Sequence, residues 1–416
     1  MKTFLIVGGH DEAYSYLKDM AIDFVIIQIA TMLGEEQKNL AKEIIIVESL
    51  TNDTVLKSSI ELHKKYNLDY IFSFTEDGLL PAAFAAKSLG IPGIGYDSCF
   101  LCRDKTALRE YLKNSSLAVP AYLCENEQDL IRFIETEGSS VVLKDPMGSG
   151  SKHVIVCHSH ESATRGWNTL KQAGCNNILV EKFLEGTEYS IETMTINGKH
   201  ECFGITQKVL YPGTVIEQQH IFPAPDLDPK LQHDLATYAI DLLSTIKHRH
   251  GPCHIEVIVN QGNISLVEIN NRGGGDFIWQ MVLLVCGVDV IRETLTYAFS
   301  NTYDEAIRLK NKRFAAMSSI ALFAPLDADV LRAQITERVN IVRLSCRPNA
   351  KQNIEVRDSW DRFGFLVIGH NNKDDFQQLL PEVVHQIHMS EQAVINEIQH
   401  INSNTTQQVK DTLSVK

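Results

Sequence analysis

The chain has 416 residues, of which 44% are hydrophobic and 22% charged, a composition that excludes a disordered or fibrous protein. Its formal net charge of −13 argues against nucleic acid and against an anionic membrane surface as partners. Small anions are a separate case, because converging backbone N–H groups and a few lysines can hold them.

The opening MKTFLIVGGHDE lacks the long apolar core and small-residue cleavage site of a signal peptide. The longest apolar candidate, residues 277–290, is too short to span a bilayer and contains Asp289. Nine cysteines are scattered, and the one close pair, Cys99 and Cys102, has no second pair to complete a zinc site. These features predict reduced thiols in a cytoplasmic protein.

In chain order, apolar runs at 3–7, 44–47 and 70–74 alternate with helical patterns at 55–66 and 79–89. That alternation predicts an open α/β unit. Gly8-Gly9 ends the first run, but without a full G-x-G-x-x-G it is a weak dinucleotide signal. Residues 91–95 read as a turn-rich hinge and 104–115 as a helix. Two strand-like runs at 140–143 and 153–157 flank a Gly/Ser turn. A strand-rich region with a helix at 229–247 follows, then another α/β pattern broken at 371–375. The resulting division is 1–103, 104–182, 183–312, 313–388 and a polar tail at 389–416 that starts helical and frays.

The most informative segment is 254–270, which reads as two strands around Gln261-Gly262-Asn263. A turn centred on Gly262 sets Glu256 opposite Glu268 and His254 opposite Asn270, all on one face. Ile255, Val257, Val259, Val267 and Ile269 then take the core face. Opposed carboxylates lie about 5 Å apart at Cβ and repel, so a hard divalent cation is the fitting compensation. The competing reading is a solvated face with both glutamates in water. Arg272-Gly273-Gly274-Gly275 weakens it, because an arginine and flexible backbone suit anion handling.

Lys144 ends a strand beside Gly148-Ser149-Gly150-Ser151, where small residues let N–H groups approach phosphate oxygens. It is not a Walker motif, and taken singly it reads as an ordinary hairpin turn. Asp104-Lys105 opens a helix, with Asp104 as a cap. Residues 178–184 form an apolar strand running into a hinge, whose backbone could meet an adenine edge, with Glu188 available to ribose hydroxyls. Phe277 and Trp279 read as core, or as walls of a pocket.

Taken in order, Asp104-Lys105, Lys144 with 148–151, 181–184 with Glu188, Glu256, Glu268-x-Asn270-x-Arg272 and Gly274 resemble the ATP-grasp superfamily. Thr75-Glu76, residues 82–95, Cys102-Arg103-Asp104-Lys105 and residues 268–276 are most similar to its L-amino-acid ligase branch. The resemblance implies an α/β ATP-grasp fold: an N-terminal Rossmann-like domain, a two-lobed ATP-binding region and a C-terminal α/β lobe. It implies an ATP-dependent ligase that joins an amino acid or related carboxylic acid to the amine of another through an acyl phosphate. A homodimer is compatible with it.

By the same resemblance, Lys105 and Lys144 neutralise ATP phosphates and Gly148, Ser149, Gly150 and Ser151 close over them. Glu181, Lys182, Phe183 and Leu184 meet adenine, and Glu188 meets ribose. Glu256, Glu268 and Asn270 bind Mg2+, with Mn2+ as a substitute. Arg272, Gly274 and Gly275 face the transferring phosphoryl group and the acid. Glu217 and His220, in a loop at 211–225, position substrate and accept a proton. Two departures stand out: Asp145 separates Lys144 from Pro146, and His153 occupies a position where glycine is common. The alternatives are other ATP-grasp chemistry, such as bicarbonate or nucleotide-precursor activation, and a non-catalytic ATP-binding sensor.

Overall fold

The computed structural model describes residues 2–225, 227–300, 305–335, 338–346 and 358–413. Three sheets carry the chain.

The first is parallel and uses β1 (Lys2–Val7), β2 (Ile22–Ile29), β3 (Ala41–Val47) and β4 (Tyr70–Phe72) in the order β3-β2-β1-β4. The sequence reading missed β2, whose continuous apolar run lacks the alternation that marks a half-exposed strand. One face of this sheet packs on the helices Asn52–Tyr66 and Glu76–Leu89. The other meets Met281, Val282, Leu295 and Tyr297 from the large lobe.

The second sheet comprises β5 (Ala121–Cys124), β6 (Val141–Lys144), β7 (Val154–Cys157) and β8 (Ile178–Lys182), all antiparallel, in the order β5-β8-β6-β7. Trp167 and Leu170 of the helix His160–Gln172 belong to its core.

The third sheet adds β9 (Thr187–Ile196), β10 (Lys199–Leu210), β11 (Glu217–Phe222), β12 (His250–Asn260), β13 (Asn263–Asn270), β14 (Ala316–Leu322), β15 (Asn340–Cys346) and β16 (Gly364–His370). Its order is β13-β12-β9-β10-β11-β14-β16-β15. The expected boundary at 312/313 therefore separates segments of one continuous sheet. The segment expected as a separate polar tail continues the helix Lys373–Leu413, so the boundary at 388/389 falls inside a helix. Among the described residues, no helix is long and apolar enough to cross a membrane.

Two expectations about the site's strands need correction. Glu256 pairs with Glu268 and His254 with Asn270, as expected, but the turn is Gln261-Gly262 rather than one centred on Gly262. Both turn residues have positive φ, 50° and 83°, as a two-residue hairpin turn of matching twist requires. A bulge after Glu256 restores the register, since Val257 pairs with Leu266 and leaves Val267 unpaired. Leu266, not Val267, is consequently the buried core residue. Glu217 and His220 lie not in a loop but on β11, which hydrogen-bonds to both β10 and β14. Of the expected loop, residues 211–216 and 223–225 lie outside the strand.

Gly78, in the first turn of the helix Glu76–Leu89, fixes how closely that helix approaches β1. A Cβ there would sit 2.4 Å from the Val7 carbonyl oxygen and 2.4 Å from Ser73 Oγ. Gly78→Ala should lower unfolding stability by about 1–3 kcal/mol, the usual range for overpacking. Ser88→Ala, on the exposed side of the same helix, should stay within about 0.5 kcal/mol, and urea unfolding checks both.

Candidate functional site

The three sheets enclose a cavity of about 1700 Å³. Its wall includes every residue named above for the ATP, metal and substrate roles, because strand ends and the hinge after β8 converge there.

Lys105 and Arg109 are four residues apart on one face of the helix Lys105–Leu112, the same face that buries Leu108 and Leu112. Lys105 Nζ donates to the Gly148 carbonyl at 2.8 Å and pairs with Glu268 at 3.1 Å. Arg109 was not anticipated, although a cation on an apolar stripe was a readable signal. Its Nε donates to Glu181 at 2.7 Å, and its Nη2 donates to the carbonyls of Leu266 and Val267 at the bulge.

Lys144, at the end of β6, pairs with the other oxygen of Glu181 at 2.6 Å. All three side chains are buried. Burial alone would raise the Glu181 carboxyl, but Arg109 and Lys144 outweigh it and hold it at about 2. Burial pulls Lys144 below its ordinary value, and Arg109 and Lys105 add to that effect against Glu181. One carboxylate shared by two cations leaves a surplus positive charge at this wall of the cavity.

Where β8 runs into the hinge, the Lys182 N–H is given to the Pro120 carbonyl and the Phe183 N–H to the Ser140 carbonyl, each at 3.0 Å. Leu184 is the next backbone donor along this strip, and its residue lines the cavity. The 148–151 turn is docked: Gly150 accepts from the Ser359 N–H at 3.3 Å, and Ser151 Oγ donates to Val215 at 3.2 Å.

Lys208 on β10 was also missed. Its ammonium, 2% exposed, contacts Glu188 at 2.6 Å, Glu256 at 3.0 Å and Glu217 at 3.3 Å. Burial disfavours that charge, but the three carboxylates raise it well above its ordinary value. Burial and the neighbouring Glu256 and Glu217 raise Glu188, against Lys208. Glu256 goes the other way: Lys208 and His254 overcome burial and hold it well below the usual range. His254 lies between Glu192 at 2.8 Å and Glu256 at 3.0 Å. Burial would lower this imidazole, yet the two acids lift it to about 9. Asn270 is the cross-strand partner of His254, beside Glu268.

At the far end, His220 Nε2 faces Asp276 at 3.1 Å, and Arg362 bridges Asp276 and Glu217 at 2.6 and 2.7 Å. Burial would raise Asp276, but His220 and Arg362 keep it well below the carboxylate range. His220 Nδ1 is buried and makes no hydrogen bond among the described residues. Arg272 pairs with Glu76 at 3.1 Å, and Arg103 takes the other Glu76 oxygen at 3.3 Å. Gly274 is required by contact, since a Cβ would lie 2.8 Å from Ile278 and 2.9 Å from His254. Phe277 and Trp279 do both things the sequence allowed, packing on the core while lining the cavity. Arg362 follows a segment with no distinguishing motif, so nothing in the sequence pointed to it.

A two-lobed, glycine-flapped cleft between antiparallel sheets, behind a parallel N-terminal domain, is the ATP-grasp architecture, and residues 137–280 match the ATP-grasp domain family. Residues 137–280 are thus similar to ATP-grasp domains, and the chain as a whole has that fold. Within that class it is similar to L-amino acid ligases. The crystal structure of L-amino acid ligase from Bacillus licheniformis superimposes with a TM-score of 0.77 at 17% identity, covering 92% of this chain and 97% of that one. An ADP complex of N5-carboxyaminoimidazole ribonucleotide synthetase gives 0.72 at 15% identity, covering 94% and 98%. In sequence, the L-arginine-specific L-amino acid ligase of Bacillus subtilis is 27% identical over 255 residues, 58% of this chain and 60% of that protein.

Removing the shared carboxylate isolates two buried cations. Glu181→Gln should therefore destabilise the fold by about 3–5 kcal/mol at neutral pH. The Glu181 carboxyl lies at about 2 when folded against an ordinary 4.5, so its contribution is complete above 4.5 and lost as pH falls through 2. Urea unfolding of both proteins should accordingly converge over that window.

Proposed function

We propose that this protein is an ATP-dependent carboxylate–amine ligase that joins an amino acid to the amine of a second one, releasing ADP and phosphate. The observation that carries the reading is the meeting, in one cavity, of the opposed Glu256 and Glu268 with Lys105, Lys144 and Arg272. The similarity to amino acid ligases supports amino acids as both substrates. At about 1700 Å³ the cavity exceeds the roughly 300–1,000 Å³ of a single-ligand site, which suits a nucleotide plus two small molecules. The reading carries a cytoplasmic setting, with a second copy of the chain as the expected partner.

The surplus charge at Lys144 and the ammonium of Lys105 would hold the phosphates, with Gly148–Ser151 closing over them. The adenine edge would meet the Lys182 carbonyl and the Leu184 N–H, and Glu188 the ribose. Glu256, Glu268 and Asn270 are oxygen donors of the kind magnesium prefers, and two carboxylates now neutralised by Lys105, Lys208 and His254 fit a cation. A divalent ion bound there supplies neutralisation of phosphate charge. Arg272, oriented by Glu76, would stabilise the transferring group.

A carboxylate becomes an electrophile once an oxygen takes the γ-phosphoryl group and the β–γ bridging bond breaks. The amine nitrogen then attacks the carbonyl carbon and phosphate leaves. Water exclusion by the docked flap protects the acyl phosphate meanwhile. Of the two candidate proton acceptors, His220 suits the task better. Its Nδ1 has no partner among the described residues, whereas Glu217 is held between Lys208 and Arg362.

The decisive assay measures ADP and phosphate release across pairs of L-amino acids, with mass spectrometry of the products. Amide with stoichiometric ADP is expected; ADP release triggered by bicarbonate alone, or nucleotide binding without turnover on any pair, overturns the reading. With the active pair, Arg272→Ala should lower kcat about 100- to 1,000-fold, as loss of one transition-state donor does, while ATP affinity changes little. Equal losses in both would remove Arg272 from the chemical step.

A further inference from the structure

Among the described residues, one group of side chains at the rim of the nucleotide cleft, where Asp145 still lines the cavity, has the composition of a metal site. Asp145, His153 and Cys175 bring a carboxylate oxygen, a ring nitrogen and a sulfur within 4.8 Å of one another. His153 Nδ1 lies 3.6 Å from Cys175 Sγ. We propose that these three residues bind a zinc-class divalent transition metal ion at the neck of the glycine-rich flap.

The three come from different places for clear reasons. Lys144 and Val154 are the last paired residues of β6 and β7. Asp145 directly follows β6 and His153 directly precedes β7, and the Asp145 N–H donates to the His153 carbonyl at 3.3 Å, so they face each other across the loop's base. Cys175 arrives from the turn between the helix His160–Gln172 and β8, its own N–H fixed on the Leu170 carbonyl at 3.0 Å. That cysteine is 7% exposed, while the other two are half-buried, leaving an entry path.

Ligand chemistry selects the ion. Sulfur, imidazole and carboxylate together suit a borderline-soft metal, whereas magnesium and calcium prefer oxygen alone. Bonds of about 2.0–2.3 Å in a tetrahedron put ligand atoms roughly 3.3–3.8 Å apart, so the observed 3.6 Å needs no adjustment and the outer limit a small contraction. A thiolate and a carboxylate balance a dication, so the filled site is neutral. Asp145 Oδ1 already accepts the Met147 N–H at 3.0 Å, which orients the carboxylate as outer-shell bonds do. His153 holds this position with φ of +59°, a conformation costly for a residue with a Cβ and found where a side chain's placement is imposed. Three protein ligands leave a fourth position for water, and the bound ion ties the flap's neck to the turn before β8.

The test uses the full-length untagged protein, free of nucleotide and magnesium, titrated with Co2+ and then Zn2+. One equivalent of Co2+ with a thiolate-to-cobalt charge-transfer band is expected, displaced by Zn2+. Cys175→Ser, Asp145→Asn and His153→Gly should each weaken binding by more than the roughly 10- to 100-fold that losing an outer-shell partner costs. Glu268→Gln, in the nucleotide cleft, should bind as the parent does. Absence of stoichiometric binding, or binding unchanged in Cys175→Ser and His153→Gly, overturns the site. His153→Gly keeps the outcome readable if another variant misfolds, because glycine accepts that φ without strain. Unfolding midpoints in chelator verify that each variant is folded.

Discussion

One buried ammonium holds the floor of the cleft together. Lys208 stands among Glu188, Glu217 and Glu256, which come from β9, β11 and β12. Three carboxylates this close cannot all remain charged without a cation, and a lone cation could not remain buried without them. Each justifies the other, and the arrangement fixes the spacing of neighbouring strands on the cavity side. Glu256 extends the chain of charges to His254 and Glu192, and Glu217 extends it to Arg362, Asp276 and His220. The cavity wall is thus a continuous alternation of acids and bases. Moving one member displaces its neighbours, which is how a preorganised electrostatic site resists relaxation around its ligands.

Arg109 does for the lobes what Lys208 does for the strands. One guanidinium joins the helix Lys105–Leu112 to Glu181 on β8 and to two carbonyls of β13. Those carbonyls flank the bulge, where an unpaired residue leaves acceptors that the regular ladder would have satisfied. The bulge is therefore coupled to the register that opposes Glu256 to Glu268. Without it the two-residue turn would slip the pairing by one and send Glu268 to the core face.

The same hairpin marks the limit of what the sequence carried. Period-two alternation and the turn residues were enough to oppose the two glutamates, and the ordered run of lysines, glycines and acids was enough for the fold family. The bulge was invisible, because a single unpaired residue changes no composition; the pairing came out right while Val267 was assigned to the wrong face. Glu217 and His220 were read as loop residues because the strand EQQHIF is polar: those two line the cavity, while Gln218 meets His388 and Gln219 meets Ser318. Lys208, Arg362 and Asp276 were passed over for a related reason. Their roles come from tertiary convergence of strands far apart in sequence, which no local pattern encodes.

The pairing of Arg272 with Glu76 bears on what the parallel N-terminal domain is for. Glu76 lies in the first turn of a helix whose approach to β1 is set by Gly78, and it takes Arg272 on one oxygen and Arg103 on the other. An arginine followed by three glycines would otherwise sample many rotamers, and ordering it on substrate binding would cost entropy. Glu76 bears part of that cost in advance. The arginine that faces the phosphoryl group in the proposed reaction is therefore aimed by a domain that contributes none of the lysines or metal-type acids. The N-terminal domain is therefore part of the candidate site rather than standing beside it, and motion between the two would be felt at Arg272.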